Sequence, residues 1–166
     1  MIDAICYVLA NNRLANTVLQ VLGRFLSYHI PITEDYEDLG VEYASEYDML
    51  HYFQEHPELS VTRYWNGPEA TPAKSAGSDH VNLHFTRGVH QSSLPEIMVG
   101  AHFLADGHLV MSLTIGADDD EIVDLTLIEL KQCLQSTTGL ISYANYSNFF
   151  TFDSAAEFKA VCDSLQ

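Results

Sequence analysis

Apolar and polar positions change period along the chain, and the changes separate strands from helices. Residues 2–9 are rich in strand formers (Ile2, Ile5, Cys6, Tyr7, Val8) and predict a buried strand. Asn11 or Asn12 is placed to cap the helix that follows, in which Leu14, Val18, Val21, Leu22 and Phe25 recur at helical spacing and Pro31 is expected to end the run. A second helix is predicted over residues 45–54, presenting Met49, Leu50 and Phe53 to the core, with Pro57 closing it. Residues 59–65 alternate as a strand, residues 66–79 carry the glycines and prolines of a long loop, and residues 80–86 alternate again.

The clearest local signal is a hairpin over residues 97–115. Two apolar runs flank Asp106-Gly107, a dipeptide suited to the positive φ angles of a two-residue turn. That turn sets His102 opposite Met111 and Leu104 opposite Leu109, with Val99, Phe103 and Val110 on the other face. Both faces are apolar, so the hairpin belongs in the middle of the sheet. Asp118-x-x-Glu121 then opens a helix with Val123, Leu127, Leu130 and Leu134 inward and Gly139 just past its end. Residues 140–145 predict a last strand. Ser154-x-x-Glu157 is a capping box before Phe158, Val161, Cys162 and Leu165. These elements predict one α+β domain over residues 1–166, a mostly antiparallel sheet of five or six strands with helices packed against it.

Composition adds a core and a charge. With 166 residues, 47% of them hydrophobic, the chain has enough apolar surface to offset its ordering entropy. Lys and Arg number 7 against 23 Asp and Glu, a formal net charge of −16, where a magnitude of about 2–8 is ordinary for a small soluble domain. Such an excess repels phosphate backbones and anionic lipids. Neither a nucleic-acid nor a membrane partner is expected, and a basic protein is the natural complement. High charge also simply keeps a protein in solution. Cys6, Cys133 and Cys162 are odd in number and far apart, as reduced thiols in a cytoplasmic protein would be. Residues 1–10 include Asp3 and lack the basic start of a signal peptide.

The acidic excess concentrates between residues 34 and 58, which hold no Lys or Arg. Glu34, Asp35, Tyr36, Glu37, Asp38, Glu42, Tyr43, Glu46 and Asp48 form the candidate partner surface. Carboxylates steer a cationic partner inward, and interleaved tyrosines give contact area at low entropy cost. A solvated helix face with some tyrosines in the core accounts for the same pattern. The run Asp118-Asp119-Asp120-Glu121 reads as a helix start, where acids favour the dipole, because it lacks the alternating ligands and glycine of a calcium loop. No metal or cofactor is expected there.

A rival reading makes the protein an enzyme or small-ligand protein. His80 and His84 share one face of the 80–86 strand, and His102 on a neighbouring strand would complete a three-imidazole set able to hold zinc. His84-Phe85-Thr86 resembles the His-x-Thr element of two-histidine phosphoesterases, yet His102-Phe103-Leu104 and His108-Leu109-Val110 lack the second hydroxyl. No nucleophile elbow, phosphate-binding glycine loop or dinucleotide fingerprint occurs in the sequence. A third reading is an acidic mimic of nucleic acid, such as a phage anti-defence protein.

The C-terminal half carries a resemblance of layout. A hairpin, an amphipathic helix, the aromatic strand Ile141-Ser142-Tyr143 and a capped terminal helix running from Asp153-Ser154 to Leu165 resemble the endings of bacterial immunity proteins from contact-dependent inhibition and type VI secretion systems. Where many of those proteins place a tryptophan in the last strand, Tyr143 or Tyr146 stands here. The resemblance implies a cytoplasmic, non-catalytic protein that binds a cognate toxin domain and blocks its active site.

Overall fold

A computed structural model describes residues 3–26, 28–31, 46–56, 61–66, 85–86, 98–116, 119–144 and 153–165. They form an α+β fold with the elements β1 (Asp3–Leu9), α1 (Ala15–Phe25), β2 (Tyr28–Pro31), α2 (Glu46–Glu55), β3 (Val61–Asn66), β4 (Phe85–Thr86), β5 (Met98–Phe103), β6 (Leu109–Gly116), α3 (Asp120–Leu134), β7 (Gly139–Ala144) and α4 (Ala155–Ser164). The sheet order is β4-β2-β3-β5-β6-β1-β7, and every pairing is antiparallel. Its body is the four-stranded unit β5-β6-β1-β7, continued beyond β5 by three further strands. The five or six strands expected from the sequence are replaced by seven among the described residues, because Tyr28–Pro31 pairs as a short strand that the pattern did not predict.

β1 is apolar on both faces because it lies between β6 and β7 and is covered twice. Ala4, Cys6 and Val8 join Val99, Ala101, Phe103, Leu109, Met111, Leu113 and Ile115 beneath α1, α2 and α3. Those helices contribute Val18, Val21, Leu22 and Phe25, then Met49, Leu50 and Phe53, then Val123, Leu130 and Leu134. Ile5, Tyr7, Leu9, Val110 and Leu140 turn the other way and meet Ala155, Phe158 and Cys162 of α4. Period-2 alternation thus feeds two cores from the same strands.

The hairpin sits in mid-sheet as its apolar faces predict, but its register is shifted by one residue. His102 pairs with Val110, Phe103 with Leu109 and Ala101 with Met111. The cause is the turn. Gly107 alone adopts a left-handed φ of 88° while Asp106 does not. Gly107 N–H donates to the Leu104 carbonyl at 3.1 Å, and Leu104 N–H to the His108 carbonyl at 2.9 Å. This is a three-residue loop with glycine at the bulge, and a one-residue slip exchanges the faces. His102 consequently shares its face with Ser112 and Tyr7 and turns away from Met111.

Helix ends differ from expectation at several points. α1 ends at Phe25, well before Pro31, which lies in β2. Its N-cap is Leu14, exposed rather than in the core; Asn12 acts one step earlier, accepting from Leu14 N–H at 3.0 Å and from the Thr17 hydroxyl. Asp119, not Asp118, caps α3, accepting from Glu121 N–H at 2.9 Å. Gln135 closes that helix in the left-handed region at φ 50°. Gly139 is instead the first residue of β7, where a Cβ would lie 2.6 Å from the Tyr7 carbonyl oxygen. Leu165 falls beyond α4 and is exposed.

Candidate functional site

Of the expected partner surface, Glu34, Asp35, Tyr36, Glu37, Asp38, Glu42 and Tyr43 lie outside the described residues. Glu46 opens α2 and Asp48 stands exposed in its first turn. Helical spacing sends Met49, Leu50 and Phe53 into the core and leaves Tyr47, Asp48, His51 and Glu55 toward solvent. Tyr47, 45% exposed, stacks on His51 at 5.8 Å between ring centroids, and His51 reaches Glu55 at 3.6 Å. Tyr52 is different. It packs against the core, with its ring 4.1 Å from that of His56. The interleaved tyrosines of this stretch thus divide, Tyr47 outward and Tyr52 inward.

The distribution of charge is the site's main electrostatic feature. Arg13 is only 6% exposed and its guanidinium serves the interior: Nε donates to the Phe53 carbonyl at 3.0 Å, and the two terminal nitrogens donate to the carbonyls of Leu104, His108 and His56. Arg24 pairs with Glu129 at 3.4 Å, and its other terminal nitrogen, Nη1, is buried with no hydrogen-bond partner. Lys131 is half-buried and Lys159 exposed, against the exposed Asp48, Glu55, Asp106, Asp119, Asp120, Glu121, Asp124, Asp153, Glu157 and Asp163. The described surface is strongly of one sign, and part of the small cationic complement is spent on internal contacts.

α3 presents what the sequence reading missed. Val123, Leu130 and Leu134 point inward, as expected, with Leu127 half-buried against the same core. Ile122, Leu125 and Ile128 are nonetheless 39%, 52% and 49% exposed. At 3.6 residues per turn, positions 121, 125, 128 and 132 follow one side of the helix, so Leu125 and Ile128 lie among Glu121, Asp124 and Gln132. The exposed Tyr143 of β7 extends this face, donating from its hydroxyl to Asp120 at 3.4 Å. The signal was an apolar count in DEIVDLTLIELKQCL too large for one buried stripe.

Of the three histidines, only His102 lies among the described residues. β4, which begins next to His84, pairs with β2, and both β2 and β3 stand between it and β5, so it is not the neighbour of the strand bearing His102. His80 and His84 themselves lie outside the described residues. His102 Nε2 is hydrogen-bonded to the buried Ser112 hydroxyl at 2.9 Å, with the Tyr7 ring 5.9 Å away, and burial pulls the imidazole down to about 4. Burial likewise pushes the Cys6 thiol up to about 12 and raises Cys133 and Cys162, an environment opposed to thiolate chemistry. Among the described residues no group of three or more His, Cys, Asp or Glu is placed to hold a metal ion, and no helix is long and apolar enough to cross a membrane.

No family model matches the chain, and neither a curated protein nor a solved structure does.

Proposed function

We propose that this chain is an acidic binding protein that neutralises a cognate toxin in the cytoplasm by covering the toxin's basic active site, as bacterial immunity proteins do. The observation that carries the reading is the acidic excess: a formal −16 overall, with Arg13 turned to the interior and Arg24 held by Glu129. An enzyme acting on an anionic substrate such as nucleic acid needs a cationic cleft, and a surface of this sign competes for it. Long-range attraction speeds encounter, and short-range complementarity then holds the complex. The contact surface in this reading is Glu34, Asp35, Tyr36, Glu37, Asp38, Glu42, Tyr43, Glu46 and Asp48, with Tyr47 available beside Asp48 on the open side of α2.

Immunity genes stand beside the genes of their toxins, so the test uses the protein encoded next door. Co-expression should rescue growth from that protein's toxicity. The purified pair should associate rapidly, with an on-rate that drops steeply as salt rises from about 0.05 to about 0.3 M, because the Debye length shortens over that range. Alanine at Glu37, Asp38 and Glu42 should slow association. Failure of rescue together with absence of binding rejects the function, and unchanged binding across the alanine series rejects the location.

A further inference from the structure

We infer that the outer face of α3 is a docking surface for a cationic amphipathic helix of the partner, a second contact distinct from the acidic stretch that leads into α2. The inference deepens the proposed function and rests on its claim of a basic partner.

Three large aliphatic side chains in an i, i+3, i+6 series are left in water on one helix. Ile122, Leu125 and Ile128 are each more than a third exposed, although α3 buries a complete second set against the sheet. Scattered surface hydrophobics need no explanation, but a continuous stripe rimmed by polar groups marks an interaction site. The rim is acidic over its first two turns, where Glu121 and Asp124 alternate with the stripe and Asp120 lies at its start, bridged to Tyr143 of the adjoining strand; the half-buried Lys131 stands at its far end. Tyr143 adds an aromatic ring to the same surface, itself 53% exposed.

Charge decides the occupant. A second copy of the chain would bring another formal −16 against this rim, and an anionic lipid surface would be repelled in the same way. A helix with leucine-like residues along one stripe and lysine or arginine beside it satisfies both requirements, seating its apolar face on Leu125 and Ile128 and pairing its cations with Glu121 and Asp124. α1 packs against both α2 and α3 and separates them, and its sequence, ANTVLQVLGRF, contains no acid. Asp48 and Glu55 of α2 and the acids of α3 thus stand on helices joined through α1, whose one charged residue is Arg24, and a partner engaging both would hold the protein at two points.

The probe is a synthetic helical peptide of leucine and lysine with its leucines on one face, compared with a scrambled peptide of identical composition. Wild-type protein should bind the amphipathic peptide about tenfold more tightly than the scrambled one, since an ordered apolar face adds to a charge attraction both peptides share. Leu125→Ser with Ile128→Ser, both at exposed sites, should abolish that preference. Glu121→Gln with Asp124→Asn should weaken binding by about tenfold, while removal of the same charge at and just before α4 by Asp153→Asn and Asp163→Asn should change it by no more than about twofold. Circular dichroism and thermal melting check that each variant folds. Equal binding of the two peptides, or equal effects of the α3 and α4 charge variants, overturns the inference and leaves only a polyanion. Self-association in sedimentation that the Leu125→Ser, Ile128→Ser pair removes overturns it in favour of a second copy. With the neighbouring-gene toxin, binding that survives those two substitutions defeats the α3 surface alone. Absence of any toxin binding, with peptide preference intact, defeats the toxin reading alone.

Discussion

The Arg13 guanidinium donates to the carbonyl of Phe53, the residue whose ring stacks on Phe103 at 5.3 Å, and Arg13 itself lies 5.0 Å above the Phe103 ring. This joins the start of α1 to the end of α2, where carbonyls have no partner within the helix and the dipole favours a cation. The relation is reciprocal, because Gln54 of α2 accepts from Ala15 N–H at the first turn of α1 at 2.9 Å.

Replacing Arg13 should be among the most damaging single changes in the described residues. Methionine fills the space but removes the guanidinium donor from the carbonyls of Phe53, Leu104, His108 and His56, the first three of which keep a backbone N–H, and a loss of about 2–4 kcal/mol is expected. Lysine keeps the charge yet cannot spread donors over four carbonyls, so Arg13→Lys should cost about 2–3 kcal/mol. Urea midpoints at neutral pH measure both. A loss below about 1 kcal/mol for Arg13→Met would show that water replaces the guanidinium at no great cost.

Asp106 links the hairpin turn to α4. One carboxylate oxygen accepts from His108 N–H at 3.1 Å and the other from Ala155 N–H at 2.8 Å. Burial pushes this carboxyl up, but the two N–H donors and the His108 ring outweigh it, and it ends below its ordinary value. Asp106→Ala should cost about 1–2 kcal/mol through the lost helix-start contact. A depressed carboxyl stabilises the fold above its unfolded pKa, about 3.9, and that contribution fades as pH falls through the lower folded value. The deficit of Asp106→Ala relative to wild type should therefore be full at neutral pH and shrink in strong acid. A deficit independent of pH down to about 2 would assign Asp106 a packing role only.

Elements whose identity depends on local apolar period were legible: β1, α2, the β5–β6 hairpin and α4 stand within a residue or two of where the pattern places them. Legibility stopped where one backbone angle or one distant contact decides. Asp106-Gly107 serves a two-residue or a three-residue turn equally well in composition, and only the φ angles separate them. Arg13 counts as one of seven cations in the sequence, and nothing nearby announces that its partners lie at residues 53, 56, 104 and 108. For the candidate site, the pattern placed Asp48 on the second helix, where it stands exposed, whereas Leu125 and Ile128 went unremarked because apolar content alone does not say which of two stripes is covered.

His102 should make the protein lose stability in mild acid, in a different window from Asp106. The unfolded imidazole titrates near 6.5 and the folded one only near 4. Between these values the unfolded chain binds the extra proton, so stability is full above about 6.5 and is lost toward 4, at up to about 1.4 kcal/mol per pH unit. Other carboxylates titrate over part of this range, so the comparison must be with His102→Gln, which keeps a polar group near Ser112 and does not titrate. Wild type should lose more stability than this variant from about pH 7 to about pH 4.5. Parallel curves would mean that the His102 ring protonates without disturbing the fold.

Two positions at the α3–β7 connection should respond to glycine in opposite senses. Gln135 holds a left-handed φ of 50°, which costs an L-residue about 1–2 kcal/mol and a glycine almost nothing. Its carbonyl accepts from the Asn11 side chain at 2.8 Å, a main-chain contact that glycine retains. Glycine also loses more freedom on folding, so Gln135→Gly should stabilise by a net of about 0.5–1 kcal/mol. Four residues on, Gly139 brings β7 against β1 so closely that an added methyl would stand 2.6 Å from the Tyr7 carbonyl oxygen and 3.0 Å from Val8 Cγ2. The Tyr7 oxygen is backbone and β1 is paired on both sides, so the strand has no room to yield. Gly139→Ala should therefore cost about 1–3 kcal/mol, the range for overpacking a filled interior. Thermal melting of the two variants beside wild type separates them by sign, and a destabilised Gln135→Gly would mean that its side chain contributes more than the left-handed strain removes.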